Sequence, residues 1–255
     1  MRDQLTLKWQ LRWSRTVREP ARPTGSGAGV NTPDWLSPLV TAAATVDVHE
    51  LTRFAPPDDA DRRSAVLILF GEQASEPDVL LIERAHDMRS HAGQPAFPGG
   101  GVDDEDDGPV AAALREAAEE TGLDPTGVDV IAVLPDLYVP PSGYVVTPVI
   151  GWWREASPIG VKDPAEVASV HRVPLAELTD PKNRFRVRHP SGFEGPAFGV
   201  RDLVVWGFTG GLLDRLIYLG GWERSWDRSR VERLPEPIPG RTNDAGEAAR
   251  KEGDQ

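Results

Sequence analysis

Residues 99–123 read GGGVDDEDDGPVAAALREAAEETGL, and this stretch contains a glycine run, an acidic loop and a helix-forming segment. In the helical segment, Glu116, Glu119 and Glu120 are spaced i, i+3 and i+4, which places the three carboxylates on one face of a helix. The small and aliphatic side chains fall on the opposite face. The pattern therefore predicts a helix over about residues 108–121 that packs on one side and displays acids on the other.

Carboxylates at this spacing repel one another by about 0.2–0.5 kcal/mol per pair. A hard divalent cation would neutralise them, and Mg²⁺ is usually held by one or two carboxylates, several waters and substrate phosphate oxygens. A solvated acidic face is the ordinary alternative for such a cluster. The neighbouring residues favour the cation, because Arg115 precedes the first acid and glycines stand at both ends of the block.

The ends of the helix have residues with suitable local chemistry. Asp107 is predicted to be the N-cap, Pro109 lies in the first turn, and Gly122 suits the left-handed residue that ends a helix. The glycines at positions 99–101 predict a tight turn, since glycine accepts unusual backbone angles without strain.

This block resembles the Nudix box, whose family pattern is G-x5-E-x7-R-E-U-x-E-E-x-G-U, where U is an aliphatic residue. Counted from Gly101, the matching positions are Gly101, Arg115, Glu116, Ala117, Glu119, Glu120, Gly122 and Leu123. Asp107 then stands where the pattern has its first Glu. Counting from Gly100 instead adds one loop residue and makes Asp106 the equivalent.

Residues 80–100 read LLIERAHDMRSHAGQPAFPGG. They are similar to the segment that precedes the box in the coenzyme A pyrophosphatase branch of the family, L-L-T-x-R-[S/A]-x3-R-x3-G-x3-F-P-G-G. Ile82 replaces Thr and is the one departure. The matching residues are Leu80, Leu81, Arg84, Ala85, Arg89, Gly93, Phe97, Pro98, Gly99 and Gly100.

The resemblance implies an α/β fold, a Nudix-type α/β/α sandwich with a mixed β-sheet. It also implies metal-dependent hydrolysis, with Mg²⁺ or Mn²⁺, of CoA or acyl-CoA to 3′,5′-ADP and 4′-phosphopantetheine or its acyl form. Glu116 and Glu120 are then the most direct metal ligands, and Glu119 completes the set or orients a water. The catalytic residues implied are Glu119, Glu120 and Glu166, the last as a candidate general base.

The residues expected to bind the substrate lie mainly in the segment before the box: Arg84, Arg89, Phe97, Gly99 and Gly100. The two arginines suit phosphate groups, and Phe97 and Tyr144 are candidates for stacking on adenine. Structural roles within the box fall to Gly101, Asp106, Asp107, Arg115 and Gly122. Of these, Arg115 is expected to pair with a box carboxylate and to fix the geometry of helix and loop.

Two alternative functions stay open. One is a Nudix hydrolase for another nucleotide, such as NADH, ADP-ribose or a damaged dNTP. The other is a Nudix-like domain that binds a nucleotide as a sensor or serves as a scaffold, and the loss of metal carboxylates would mark it. All three carboxylates are present, which favours an enzyme.

The composition restricts the partners of the chain. It has 255 residues, no cysteine and a net charge of −12, which excludes disulfides and disfavours nucleic-acid binding. No apolar run approaches the roughly 18 residues that cross a bilayer. We therefore expect a cytoplasmic protein with a small nucleotide as its partner, neither nucleic acid nor membrane, and a homodimer is left open.

The pattern along the chain predicts three regions. Residues 1–33 are expected to form a flexible leader, residues 34–226 the hydrolase domain, and residues 227–255 a disordered charged tail. Within the domain, strands are expected over residues 65–70, 78–84, 128–134, 144–153, 166–173 and 184–188. Helices are expected over residues 35–46, 174–178 and 206–219 in addition to the box helix.

Overall fold

The computed structural model describes residues 32–234 except positions 53, 55, 58–59, 89–90, 141, 190–191 and 193. Its strands are β1 Arg63–Gln73, β2 Glu76–Arg84, β3 Pro95–Ala96, β4 Gly99–Gly101, β5 Val128–Val133, β6 Leu137–Val139, β7 Tyr144–Trp153, β8 Val167–Pro174, β9 Arg184–Arg188, β10 Glu194–Val200, β11 Leu203–Val205 and β12 Val231–Arg233. Its helices are α1 Ser37–Ala43, α2 Val48–Leu51, α3 Pro109–Thr121, α4 Leu175–Thr179 and α5 Gly207–Leu219.

Strand β1 lies at the centre of the large sheet. It continues into β2 through a two-residue turn in which Ala74 and Ser75 both have positive φ, 52° and 66°, as in the hairpin turns that match strand twist. The strands predicted over residues 65–70 and 78–84 are thus present and form a hairpin. On its other side β1 runs parallel to β7, and β4 and β2 are antiparallel to it. The sheet is therefore mixed.

The two faces of β1 belong to different layers. Leu67 and Leu69 face the side on which α3 packs, while Ile68 and Phe70 belong to the core formed with α1 and α5. Because both faces are covered, the strand reads as a continuous apolar run rather than as an alternating one. Helices on both sides of a mixed sheet confirm the predicted α/β/α sandwich.

The predicted helix over residues 35–46 is present as a 3₁₀ turn, Asp34–Leu36, followed by α1. Leu36 is fully buried, and Trp35 packs edge-on against Phe70 and close to Trp222. The indole nitrogen of Trp222 donates to the carbonyl of Trp35 at 3.2 Å. The predicted leader lies outside the described residues up to position 31.

A second sheet of four strands, in the order β11-β10-β9-β12, packs beside the first. Its last strand corrects the predicted disorder at residues 231–233, because Val231–Arg233 pairs in parallel with Arg186–Arg188. Pairing to the open edge of β9 supplies the backbone partners that this polar segment needs. Arg230 anchors the strand through a hydrogen bond of 2.6 Å to the Lys182 carbonyl. Residues 235–255 lie outside the described part of the chain.

None of the helices that the structure describes is both long enough and apolar enough to span a membrane.

Candidate active site

Helix α3 lies where it was predicted, but the residue at its N-terminal end differs from the prediction. Its N-cap is Gly108, which has φ 83° and no side-chain capping bond, so the prediction of Asp107 as N-cap was wrong. Pro109 at the first position already lacks an N–H group, and this reduces the need for a capping side chain. At the other end Gly122 has φ 72° and donates to the Ala118 carbonyl at 2.9 Å, as predicted for a left-handed stop.

Arg115 gathers the acids of the box. Its guanidinium binds Asp106 through two hydrogen bonds, Nε–Oδ1 at 3.0 Å and Nη2–Oδ2 at 2.9 Å. Its Nη1 atom lies 3.1 Å from carboxylate oxygens of both Glu116 and Glu119. Nη2 also donates to the Gly101 carbonyl at 3.1 Å. One cation thus fixes the acidic loop, the glycine strand and the helix relative to one another.

The structure assigns the first acidic position of the box to Asp106. The hydrogen bonds from Arg115 hold the pKa of Asp106 below its ordinary value, whereas Asp107 is exposed. Of the two ways of aligning the loop with the family pattern, the one that counts from Gly100 therefore describes its contacts. The additional loop residue is accommodated without disturbing the helix.

Glu120 is the most buried acid of the box, with 2% of its surface exposed. Its Oε2 atom accepts a hydrogen bond of 2.9 Å from the Gly99 amide. Burial raises the pKa of Glu120 to about 8, although the Gly99 hydrogen bond and the charge of Arg84 act in the opposite direction. The charges of Glu116 and Glu166 raise it further. A buried carboxyl group with this environment is typical of functional sites.

The glycines at positions 99–101 form strand β4 rather than the predicted tight turn. A Cβ atom on Gly99 would lie 2.3 Å from the Ala65 carbonyl oxygen, and one on Gly100 would lie 2.3 Å from a carboxylate oxygen of Glu116. These two glycines therefore let the strand pair with β1 and leave room for the Glu116 carboxylate. Around Gly101 such a Cβ would meet nothing within 4 Å, and this residue contributes its carbonyl.

Arg84 ends strand β2 next to the box. Its charge lowers the pKa of Glu120, and its Nε atom is buried with no hydrogen-bond partner among the described residues. One donor of the guanidinium is therefore unpaired close to the buried acid. Arg89 lies outside the described residues, and its role stays a prediction.

The predicted aromatic contacts with adenine are not supported. Phe97 is 2% exposed and belongs to the core between the large sheet and helices α1 and α5, so the prediction that it contacts substrate was wrong. Phe97 thus lies on the side of the sheet opposite the box helix, whose buried residues belong to a separate core cluster. The ring of Tyr144 has the Arg62 guanidinium 3.9 Å above it.

Glu166 lies just before strand β8 and is exposed. Its carbonyl accepts a hydrogen bond of 2.8 Å from the Ala85 amide, which ties it to the end of β2. Its charge raises the pKa of both Glu116 and Glu120. Glu166 is 46 positions away from Glu120 along the chain. The fold nevertheless brings the two carboxyl groups close enough to interact electrostatically.

The acids fit a hard divalent cation in their chemistry. Burial raises the pKa of Glu116, Arg115 lowers it, and the negative charges of Glu119 and Glu166 raise it again. A cation next to these oxygens would relieve that repulsion. In the structure two of the carboxylates are directed to Arg115, and in the described ranges no three His, Cys, Asp or Glu side chains are arranged to hold a metal ion.

A polar cluster that the sequence pattern did not reveal lies on the opposite face of β2. Ser169 donates to Glu83 at 2.9 Å, and its hydroxyl oxygen lies 2.7 Å from Nε2 of His171. The spacing of Ser169 and His171, two positions apart in a predicted strand, is the signal that could have indicated it, because such residues lie on the same face.

The glycine strand, the arginine-bound loop and the carboxylate helix define a hydrolase of diphosphate bonds. The model of the NUDIX domain family matches residues 60–191, and the chain belongs to this family. The protein named "Uncharacterized Nudix hydrolase NudL" from Cronobacter sakazakii is 39% identical over 163 residues, which is 61% of this chain and 82% of that protein. The protein of the same name from Escherichia coli K12 is 40% identical over 162 residues, 61% and 81% of the two chains.

Solved structures were also found to be similar. The Nudix hydrolase RenU from M. smegmatis is 22% identical, with a TM-score of 0.41 over 62% of this chain and 85% of that one. The NUDIX domain of Shewanella oneidensis NrtR, in complex with ADP ribose, is 20% identical, with a TM-score of 0.39 over 52% and 86%. The family assignment depends on the match over residues 60–191 and on the curated relatives.

Proposed function

We propose that this Nudix hydrolase cleaves the diphosphate bond of CoA or acyl-CoA, producing 3′,5′-ADP and 4′-phosphopantetheine or its acyl form. The observation that carries the proposal is the segment at residues 80–100, which resembles the CoA branch and ends in the strand that binds Glu120. Arg84 links the two, since it belongs to that segment and acts on the same carboxylate.

Members of this family use divalent cations, and here we propose Mg²⁺ or Mn²⁺. Glu116, Glu119 and Glu120 would hold the ion. When bound, such an ion neutralises phosphate charge, orients the attacking water and lowers the pKa of that water. The Gly99 amide holds the Glu120 carboxylate in position, and Arg115 holds Glu116 and Glu119 through its Nη1 atom.

Glu166 is our candidate for the general base. It is exposed and therefore reachable by water, and it lies close enough to Glu116 and Glu120 to raise the pKa of each. In the proposed step it accepts the proton of the water that attacks phosphorus, and the bond from that phosphorus to the bridging oxygen breaks. Glu119 and Glu120 take part by positioning the reacting groups.

Substrate binding by an acidic protein requires local cations. Arg84 supplies one, because its buried Nε lacks a partner among the residues described. We propose that Arg84 binds a phosphate of the substrate and that Arg89 binds another. The cytoplasm is the location we propose, since CoA derivatives are abundant intracellular cofactors.

Product analysis tests this proposal. The purified protein is incubated with CoA and either Mg²⁺ or Mn²⁺, and 3′,5′-ADP and 4′-phosphopantetheine are quantified by chromatography. Glu120→Ala is the inactive variant. Glu105→Ala is the matched control, because Glu105 is an exposed acid of the loop that precedes the box helix. Both products are expected from wild type and from the control only.

Parallel incubations with ADP-ribose and NADH identify the alternative substrates. Faster turnover of either one than of CoA would replace the proposed substrate while retaining the reaction. Binding of CoA without hydrolysis in both metals would replace the reaction itself with a sensor role.

A further inference from the structure

A groove of about 540 Å³ runs along strand β8. It is lined by Ala168–Arg172 and by residues 159–161. The Gly160 amide donates to the Thr121 carbonyl at 2.9 Å, which places this second segment beside the end of α3. Gln73 and Arg201 lie at the end where β8 leads into α4. The volume is in the range of pockets that hold small molecules.

The groove exposes a strand edge. Among the described strands, β8 pairs only with β2. Every second residue of an edge strand directs its N–H and C=O groups away from the sheet. Residues 168–172 all line the groove, so the open edge of β8 runs along it. An extended ligand with amide groups of its own can therefore bind here as an added strand does.

The groove is balanced in charge. Nη2 of Arg172 lies 2.7 Å from Asp78, and Nε of Arg201 lies 2.9 Å from Glu177, so both cations already have carboxylate partners. A phosphate group would have to compete with those acids. The remaining polar side chains of the lining are Gln73, Ser169 and His171. They are neutral, since burial lowers the pKa of His171. A neutral ligand suits this lining better than an anionic one.

Apolar side chains complete the lining. Ile159 and Val170 are partly buried and pack on the core beneath helix α3, and Val161 is 38% exposed. The occupant thus needs both amide groups and short aliphatic segments. The pantetheine arm of CoA has this chemistry, because two secondary amides are joined by methylene groups in an extended, uncharged chain.

We propose that the groove along β8 binds the pantetheine arm of the substrate by β-edge hydrogen bonding. This inference rests on the proposed function. Its geometric support is continuity, since Ala168 lies two positions after Glu166, the residue whose charge reaches Glu116 and Glu120. With the diphosphate at the box, the arm extends from Glu166 towards Arg172.

Binding of pantetheine itself tests the groove without any hydrolysis. Pantetheine, which has no phosphate, is titrated into the metal-free ¹⁵N-labelled protein, and 3′,5′-ADP is titrated into a second sample. Pantetheine should shift the amide resonances of residues 159–161 and 168–172, and 3′,5′-ADP should not. No shift there at millimolar pantetheine, or shifts caused by 3′,5′-ADP instead, would overturn the assignment.

A groove-filling variant adds a kinetic test. Ala168 is exposed and lines the groove, so Ala168→Trp should block it without unfolding the chain. Val133→Trp is the matched control, because Val133 is 43% exposed on β5 at the other edge of the same sheet. Ala168→Trp should raise KM for CoA about tenfold at nearly constant kcat. Hydrolysis of ADP-ribose, which has no such arm, should not change.

The two proposals fail in different ways. If wild type does not cleave CoA, the proposed function fails and the pantetheine titration alone decides the groove. If wild type cleaves CoA and Ala168→Trp has an unchanged KM, the groove assignment fails and the proposed function stands.

Discussion

Two arginines of this protein are held in opposite ways. Arg115 lies at the edge of the box, where Asp103, Asp106, Glu116 and Glu119 all place carboxylate oxygens within 3.3 Å of its guanidinium. Arg184 begins strand β9, and its side chain is fully buried. It pairs with Asp214 of helix α5 and is stacked at 4.7 Å on the rings of both Phe198 and Trp226.

The balance of charge differs between the candidate active site around Arg115 and the packing contact around Arg184. Around Arg115 the acids outnumber the base, and Glu120 adds a further carboxyl group, so the cluster has negative charge left for a ligand. Around Arg184 the charges are nearly balanced, because Asp214 and Glu223 act on it together with the cation of Arg228. The pair of Arg184 with Asp214 connects the small sheet to the helix that covers the large one. Excess negative charge is thus found at the candidate active site, and balanced charge is found at the buried packing contact.

The largest expected effect is on turnover, in variants of the acidic cluster around Arg115. Glu120→Gln should reduce turnover by about 10⁴-fold, because it removes the best-held carboxylate of the cluster. Glu105→Gln should be as active as wild type, and Glu119→Gln should fall between the two, since 61% of the Glu119 side chain is exposed. Steady-state product formation measures all three. Equal losses in Glu105→Gln and Glu120→Gln would mean that general loop charge matters and the individual site does not.

The second effect is on stability, in variants of the pair formed by Arg184 and Asp214. Asp214→Ala should lower the free energy of unfolding by about 4 kcal/mol, because it leaves the buried Arg184 charge without its partner. The double variant Arg184→Met/Asp214→Leu should recover most of this loss, since it removes both charges. Urea denaturation measures both variants. A double variant as unstable as the single one would show that the ion pair itself contributes the stability. The loss in Asp214→Ala would then not come from the unpaired charge of Arg184.

The third effect concerns pH. The pKa of Glu120 is about 8 in the folded chain against an ordinary 4.5, so the folded state binds more protons between these values. The contribution of Glu120 to the stability of the metal-free protein is therefore fully present below pH 4.5 and is lost as the pH rises from there to about 8. Glu120→Gln should cancel this decline, a gain of roughly 4–5 kcal/mol at pH 8.5. Thermal unfolding at pH 5 and 8.5 checks it, and a variant less stable than wild type at pH 8.5 would contradict it.

The smallest effect distinguishes geometry from charge at Arg115. Arg115→Lys retains the positive charge and loses the paired hydrogen bonds to Asp106. Turnover should fall about tenfold with a change in stability below about 1 kcal/mol, because the cluster is at the surface. Kinetics and urea denaturation of the same preparation measure both quantities. Wild-type turnover in Arg115→Lys would show that charge alone positions the loop.

The features that could be predicted from sequence are those with local causes. The box helix follows from the spacing of its acids and from Gly122, and the β1–β2 hairpin from two apolar runs around a turn. Family resemblance supplied the layers of the sandwich, and the structure confirms them. The exception is the start of the box helix, where Asp107 had the right chemistry and Gly108 took the position because Pro109 follows it.

The features that could not be predicted depend on distant partners. Arg184 sits in an alternating R-F-R-V-R pattern that reads as half-exposed, and only the fold brings Asp214 to it from 30 positions away. Strand β12 has no apolar period of its own and forms because the edge of β9 is open. Glu166 and Gly100 are similar cases, since their relation to the box acids depends on sheet register.

The contact between Trp222 and Trp35 bears on the order in which this protein is completed during synthesis. The two residues are separated by 187 positions, and the cluster with Phe70 cannot form until the later one has left the ribosome. The apolar side chains of Trp35 and α1 therefore stay without this packing partner while most of the domain is translated. Nascent chains that end before residue 222 should therefore recruit chaperones at the N-terminal helix, and chains that extend beyond it should not.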